Sequence, residues 1–263
     1  SAKLAWRMPE LDRRDFLDLY GEAGEAVRSC DVTVAVVGIN KSIEREGQDR
    51  TTIELPQDQQ VFIQEVYKAN PNTVVVLVAG SSLALHWENA HIPALLNAWY
   101  PGEQGGTAVA EALFGDYNPG GRLPLTYYNA LEELPPFDDY DIRKGRTYQY
   151  FKGNPLYPFG YGLSYTDFAY QKLNVRTEAD TLWVDFTLAN AGKRDGDEVA
   201  QVYIQFPQTE EQMPVKQLKG FRRVTVMKGK KVKVSIPICK QDLRIWDEQQ
   251  EKFVTPSGKY NIL

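Results

Sequence analysis

The chain has 263 residues, with 30 lysines and arginines against 35 aspartates and glutamates, a net charge of −5. That length allows two domains, or one large one, with a sizeable core. Ordinary apolar, charged and Gly/Pro fractions exclude a disordered or collagen-like chain, the acidic balance gives no reason to expect nucleic acid, and no apolar run reaches the roughly 18 residues that a membrane span needs.

In chain order, Ser1 to Arg7 reads as a short strand with nothing before it to pair with. Asp12 to Cys30 reads as a helix, with Phe16, Tyr20, Ala23 and Val27 at helical spacing. The apolar run ending at Val37 predicts a buried strand from Val32. The loop Gly38 to Pro56 follows, and Pro56 opens a helix to about Asn70 that buries Val61, Phe62 and Val66. Val74 to Val78 is β-branched and apolar on both faces, as inside a parallel sheet. A third strand is expected near Ala94 to Trp99, then the loop Tyr100 to Gly106 and a helix to Phe114. Alternation of strand, loop and helix predicts an α/β unit with a mostly parallel sheet and flanking helices. Three strands are few for such a sheet, so part of it is expected to lie outside this chain.

From Asp116 to Thr166 periodicity fades, and Pro119-Gly120-Gly121, Pro135-Pro136 and Pro158 to Gly162 interrupt it. A segment this long and irregular is functional or connects domains. After Asp167 the period becomes two. Leu182 to Leu188, Glu198 to Phe206, Gly220 to Val226 and Lys231 to Ile236 read as strands of an all-β sandwich of immunoglobulin or fibronectin type III kind. The lysines of KGKKVK, 228–233, suit a hairpin tip and a protected edge strand. Cys30 and Cys239 fall in different predicted domains, so no bridge is expected between them.

The densest chemistry lies in the Gly38 to Pro56 loop, where Glu44, Glu46, Asp49 and Arg50 fall within seven residues after a strand. Ligands in α/β folds sit at such carboxyl ends. Two readings stand: a solvated loop whose charges pair loosely, or a carboxyl group presented to a substrate. Asp49 and Arg50 suit anchoring of the loop. Trp87 and Trp99 lie in or beside strand-end loops, where they line a sugar subsite or pack in a core, and Glu103 and Gln104 border the same region. No G-x-G-x-x-G and no phosphate-binding P-loop occurs, so a nucleotide cofactor has no support. His86 and His91 are wrongly spaced for a metal, and neither metal nor cofactor is expected. No chemistry is indicated for Met213-Pro214 or Lys216 to Lys219.

Five stretches together resemble glycoside hydrolase family 3: Ser42 to Arg50 (E-x-E-G-x-D-R), Ala98 to Gly106 continuing to Gly115, Asn118 to Pro124, Gly145-Arg146-Thr147-Tyr148 running on to Pro158 to Tyr165, and Leu218 to Phe221. They cover nearly the whole chain in the family's order and look most like the β-glucosidase and β-xylosidase branches. The resemblance implies a C-terminal part of a retaining β-glycosidase whose barrel, a (β/α)₈-like domain carrying the nucleophile, is missing here. Residues 1–8 then resemble the tail of an upstream, PA14-like insert. Residues 9–128 correspond to the α/β sandwich domain, 129–166 to an irregular linker and 167–263 to the fibronectin type III-like domain. By position in the motif Glu46 is the implied general acid/base, with Glu44 in reserve. The implied partners are a β-linked oligosaccharide or glycoside and the missing barrel, with self-association of the isolated piece. An exposed sheet edge and the face left by the missing domain would promote that association. The resemblance further suggests a periplasmic or secreted enzyme. The alternative function is a non-catalytic carbohydrate-binding or scaffolding module.

Overall fold

The computed structural model of the chain describes residues 21–207 and 213–263. The expected opening strand, and the first part of the helix expected from Asp12, lie outside these residues. By internal contacts the described chain forms two units: residues up to Ala110 with Tyr127–Glu133, and Glu111–Thr126 with everything from Leu134 onward.

The first unit runs α1 (Glu22–Ser29), β1 (Thr33–Gly38), α2 (Gln57–Ala69), β2 (Thr73–Val78), α3 (His86–His91), β3 (Ala94–Asn97) and the start of α4 (Gly105–Phe114). The strands form a parallel sheet in the order β1-β2-β3, with Thr33 beside Thr73 and Val74 beside Ala94. The valine-rich β2 is central, which is why it is apolar on both faces. Two expectations shift here. In α2 the buried residues are Ile63 and Val66, three apart on one face, while Val61 and Phe62 flank Val66 and are only partly buried. In β1, Ala35 and Val37 are buried but Val34 and Val36 are 45% and 61% exposed, so this strand is covered on one face and not two. Gly38 closes β1 at φ 151°, and a Cβ there would lie 1.8 Å from the Val78 carbonyl oxygen, so only glycine fits. Its backbone is gripped from α2, because Gln59 accepts from Gly38 N at 2.8 Å and donates to Gly38 O at 2.7 Å.

The second unit ends in an all-β sandwich. Its strands are β4 (Phe168–Glu178), β5 (Thr181–Asn190), β6 (Gly196–Gln205), β7 (Gln217–Val226), β8 (Lys231–Cys239), β9 (Ile245–Asp247), β10 (Lys252–Val254) and β11 (Asn261–Ile262), after a short helix α5 (Thr147–Tyr150). One sheet has the order β4-β5-β8 and the other β11-β6-β7. Alternate residues of β5 to β8 meet in one core: Val184, Phe186 and Leu188 from β5, Val202 and Ile204 from β6, Val226 from β7, and Val234, Ile236 and Ile238 from β8. The lysine-rich 228–233 stretch forms the β7–β8 turn and the start of edge strand β8, with Lys231 and Lys233 exposed. Strand β4 carries a register shift between Gln171 and Asn174 and is mostly exposed, so it lacks the alternation that marks the others.

The irregular segment is held by polar cross-links to this sandwich. Arg122 pairs with Glu198 of β6 at 2.9 Å, both side chains almost buried (10% and 12% exposed). The Asn118 amide donates to Asp195 O and accepts from Ser164 Oγ and Tyr165 N. Leu123 and the Gly160–Tyr161 backbone exchange bonds of 2.8 and 2.7 Å. Arg146 donates to the carbonyls of Pro135, Pro136 and Asp139, and Tyr148 stacks on Phe159 at 4.2 Å. The motifs N-P-G-G-R-L-P, G-R-T-Y and P-F-G-Y-G-L-S-Y are therefore structural braces in this unit.

Candidate active site

The loop after β1 is built as a clamp with a tip. At its start Asn40 accepts from Ser42 N and Oγ, at 2.9 and 2.7 Å, and its carbonyl takes the amides of Ile43 and Glu44. Arg45 and Gln48 then face each other across an antiparallel bridge, bonded at 2.9 and 3.3 Å, which leaves Glu46 and Gly47 as a two-residue tip. Gly47 has φ 73°, the third turn position where glycine relieves the left-handed backbone.

Below the tip, Arg50 closes the clamp. Its Nε donates to Glu44 Oε2 at 2.7 Å and its Nη2 to Ser81 Oγ and Ser82 O, at 2.9 and 3.1 Å. Ser81 Oγ donates in turn to Glu44 Oε2 at 2.6 Å. Arg50 is 11% and Glu44 26% exposed in the side chain, and Arg50 Nη1 is buried without an acceptor among the described residues. Asp49, expected to share the anchoring, is exposed and makes no side-chain hydrogen bond or ion pair among the described residues. Glu46 is exposed and likewise has no partner among them. The structure thus treats the two glutamates differently: Glu44 is spent on loop geometry, and Glu46 is presented at the tip.

Other loops reach the same carboxyl edge of the sheet. Ser81 and Ser82 follow β2, and Trp99, Tyr100 and Glu103 follow β3. The Tyr100 hydroxyl donates to Ile39 O at 3.3 Å, and its ring lies over Gly80, where a Cβ would come within 2.5 Å. Trp99 has φ 54°, a backbone state that is strained for a bulky residue and is characteristic of functional loops. Glu103 and Gln104 are exposed just before α4. Trp87 lies beside the loop after β2, and of its two expected roles the geometry supports packing. It sits on α3, stacked on His91 at 4.4 Å and edge-on to Tyr67 at 5.6 Å. Its ring is engaged in packing. Ser81 and Tyr100 were not singled out from sequence; a serine following a buried strand, and a glycine opposite an aromatic, are signals too common to select them.

Comparison with known proteins identifies this pairing of an α/β unit, with its charged strand-end loop, and a fibronectin-like sandwich. The model of the glycosyl hydrolase family 3 C-terminal domain matches residues 17–165, and that of the fibronectin type III-like domain matches 198–263. The chain belongs to glycosyl hydrolase family 3. It is 39% identical over 256 residues to a xylan 1,4-beta-xylosidase of Xylanibacter ruminicola, covering 93% of this chain and 29% of that protein. It is 36% identical to a periplasmic beta-glucosidase of Salmonella typhimurium, covering 96% of this chain and 35% of that protein. The crystal structure of the Kluyveromyces marxianus beta-glucosidase in complex with glucose superposes with a TM-score of 0.87 at 31% identity, over 97% of this chain and 32% of the other. The chain thus spans about a third of the length of these relatives.

Proposed function

We propose that this chain supplies the general acid/base of a retaining β-glycosidase acting on β-linked glucosides or xylosides, with Glu46 as the proton donor and a carboxylate from outside the chain as the nucleophile. The observation that carries this reading is the division of labour in the loop. Glu44 is held by Arg50 and Ser81, while Glu46 stands exposed at the tip without a partner among the described residues.

In the first step the nucleophile's carboxylate attacks the anomeric carbon, the bond from that carbon to the glycosidic oxygen breaks, and the Glu46 carboxyl gives its proton to the departing oxygen. In the second, water attacks the glycosyl–enzyme ester, passes a proton to the Glu46 carboxylate and releases the nucleophile. A group serving as acid and then as base must be free to exchange a proton, and a glutamate locked by an arginine is not. Closure of a neighbouring domain over the loop would desolvate the donor and raise its proton affinity.

The test is Glu46→Gln in the full-length enzyme. Turnover of an unactivated β-glycoside is expected to fall by about 10²–10⁴, and that of an aryl glycoside with a good leaving group by less. Full activity of this variant on the unactivated glycoside would remove Glu46 from the mechanism. The 263-residue chain alone is expected to hydrolyse neither substrate.

A further inference from the structure

A cleft of about 360 Å³ opens in the second unit, where α5 and the segment before it meet the β9–β10 hairpin and the start of β7. Its walls include Trp246, Phe253, Tyr150, Arg143, Glu248 and Gln217. Trp246 and Phe253 are directly opposed across the hairpin, with ring centroids 5.3 Å apart and planes at 75°. They form a corner of two aromatic faces and remain 50% and 61% exposed.

The polar groups around this corner are arranged and charge-balanced. The Arg143 guanidinium is held by Asp141 through two bonds, 2.9 and 3.2 Å, and lies 3.6 Å from Glu248. Gln217 is fixed by donating to Gln149 Oε1 at 2.9 Å, leaving its own amide oxygen as an acceptor. Arg244 lies over the Phe253 ring at 5.9 Å. Two arginines therefore stand against Asp141 and Glu248, so the site holds no surplus charge to attract an anion. A purely apolar peptide would strip water from these groups without replacing the hydrogen bonds it makes. A pyranose fits both features: its C–H face lies on an aromatic ring, and its hydroxyls donate to carboxylate and amide oxygens and accept from guanidinium groups. The volume is at the small end of ligand clefts, room for one or two rings.

We propose that this cleft binds one or two pyranose units of a neutral oligosaccharide, stacked on Trp246 and Phe253 and held by Arg143, Glu248 and Gln217. This binding site makes no use of the Glu46 loop.

The experiment titrates the isotopically labelled 263-residue chain with cellotriose and xylotriose, with trigalacturonate as the anionic control. It follows the Trp246 indole signal, assigned by its loss in Trp246→Phe. A saturable shift of that signal with a neutral trisaccharide is expected. Calorimetry should show affinity weakened about tenfold in Trp246→Ala and in Phe253→Ala, with unchanged melting because both rings are exposed. If Trp246→Ala fails to fold, Phe253→Ala and Glu248→Ala give the same reading. No saturable shift with either neutral sugar, binding of trigalacturonate alone, or undiminished affinity in Phe253→Ala and Glu248→Ala would each overturn the proposal.

Discussion

Glu44 Oε2 receives Arg50 Nε at 2.7 Å and Ser81 Oγ at 2.6 Å, so one carboxylate oxygen ties the loop after β1 to the loop after β2. Because Arg50 is nearly buried, truncating it removes the cation that pairs with Glu44 and the donor to two acceptors on the Ser81–Ser82 segment. Arg50→Ala should destabilise the first unit by about 2–4 kcal/mol. The double variant with Glu44→Gln should cost less than the sum of the singles. Denaturant unfolding of the four proteins in the cycle measures this; strict additivity would show that the pair does not act as a clamp.

Glu88 of α3 is 3% exposed, and burial holds its carboxyl proton above the ordinary glutamate value of 4.5. The charge of Glu54 adds to this, whereas the residue's own backbone hydrogen bond, His86 and His91 oppose it. The folded state therefore binds this proton more tightly than the unfolded chain. Its stabilising effect is complete below pH 4.5 and is lost as pH rises through the folded value. Above that window the charged, desolvated carboxylate is a penalty. Glu88→Gln should raise the melting temperature at pH 7 and leave it nearly unchanged at pH 4, and scanning calorimetry at the two pH values should find the gap between the proteins widening upward.

The Arg122–Glu198 pair joins the irregular segment to β6 with both side chains about nine-tenths buried. Removing one partner leaves a desolvated charge. Arg122→Ala should lower the stability of the second unit by about 3–5 kcal/mol, while Arg122→Met with Glu198→Leu should recover most of the loss. Chemical denaturation followed by tryptophan fluorescence reads both. A single variant as stable as the original would show that the pair contributes no bracing.

Val32, just before β1, and Val34 and Val36 on its uncovered face are all exposed apolar residues, at 55%, 45% and 61%. Such exposure on a strand at the edge of its sheet favours association. The 263-residue chain should sediment partly as dimers or larger species at high concentration, and Val34→Lys with Val36→Lys should return it to monomer. A clean monomer for the unmodified chain would refute the expectation.

Much of this organisation can be read from residue order because it depends on local periodicity. The β-branched run of β2, the proline before α2 and the alternation of β5, β6 and β8 each reflect a face that must be buried. Strand β4 escaped because its bulge and exposed side chains remove that alternation. Helix α3 escaped because its six residues are too few to show a period. The apolar residues of α2 mark a helix, but their order alone does not say that Ile63 is fully buried and Phe62 only partly.

The amino-acid order by itself determined an α/β unit followed by a β-sandwich, and its resemblance to the family pointed to Glu46 as an acid/base candidate, with Glu44, two positions away, in reserve. It could not show how either carboxyl is held, since both are charged and belong to the same short loop. The tertiary structure adds that Ser81, more than thirty residues away along the chain, donates its hydroxyl to Glu44, and the proposed role of Glu46 draws its support from that difference. The Trp246–Phe253 cleft has the same origin: its walls come from segments about a hundred residues apart, and such distances close only when the chain folds.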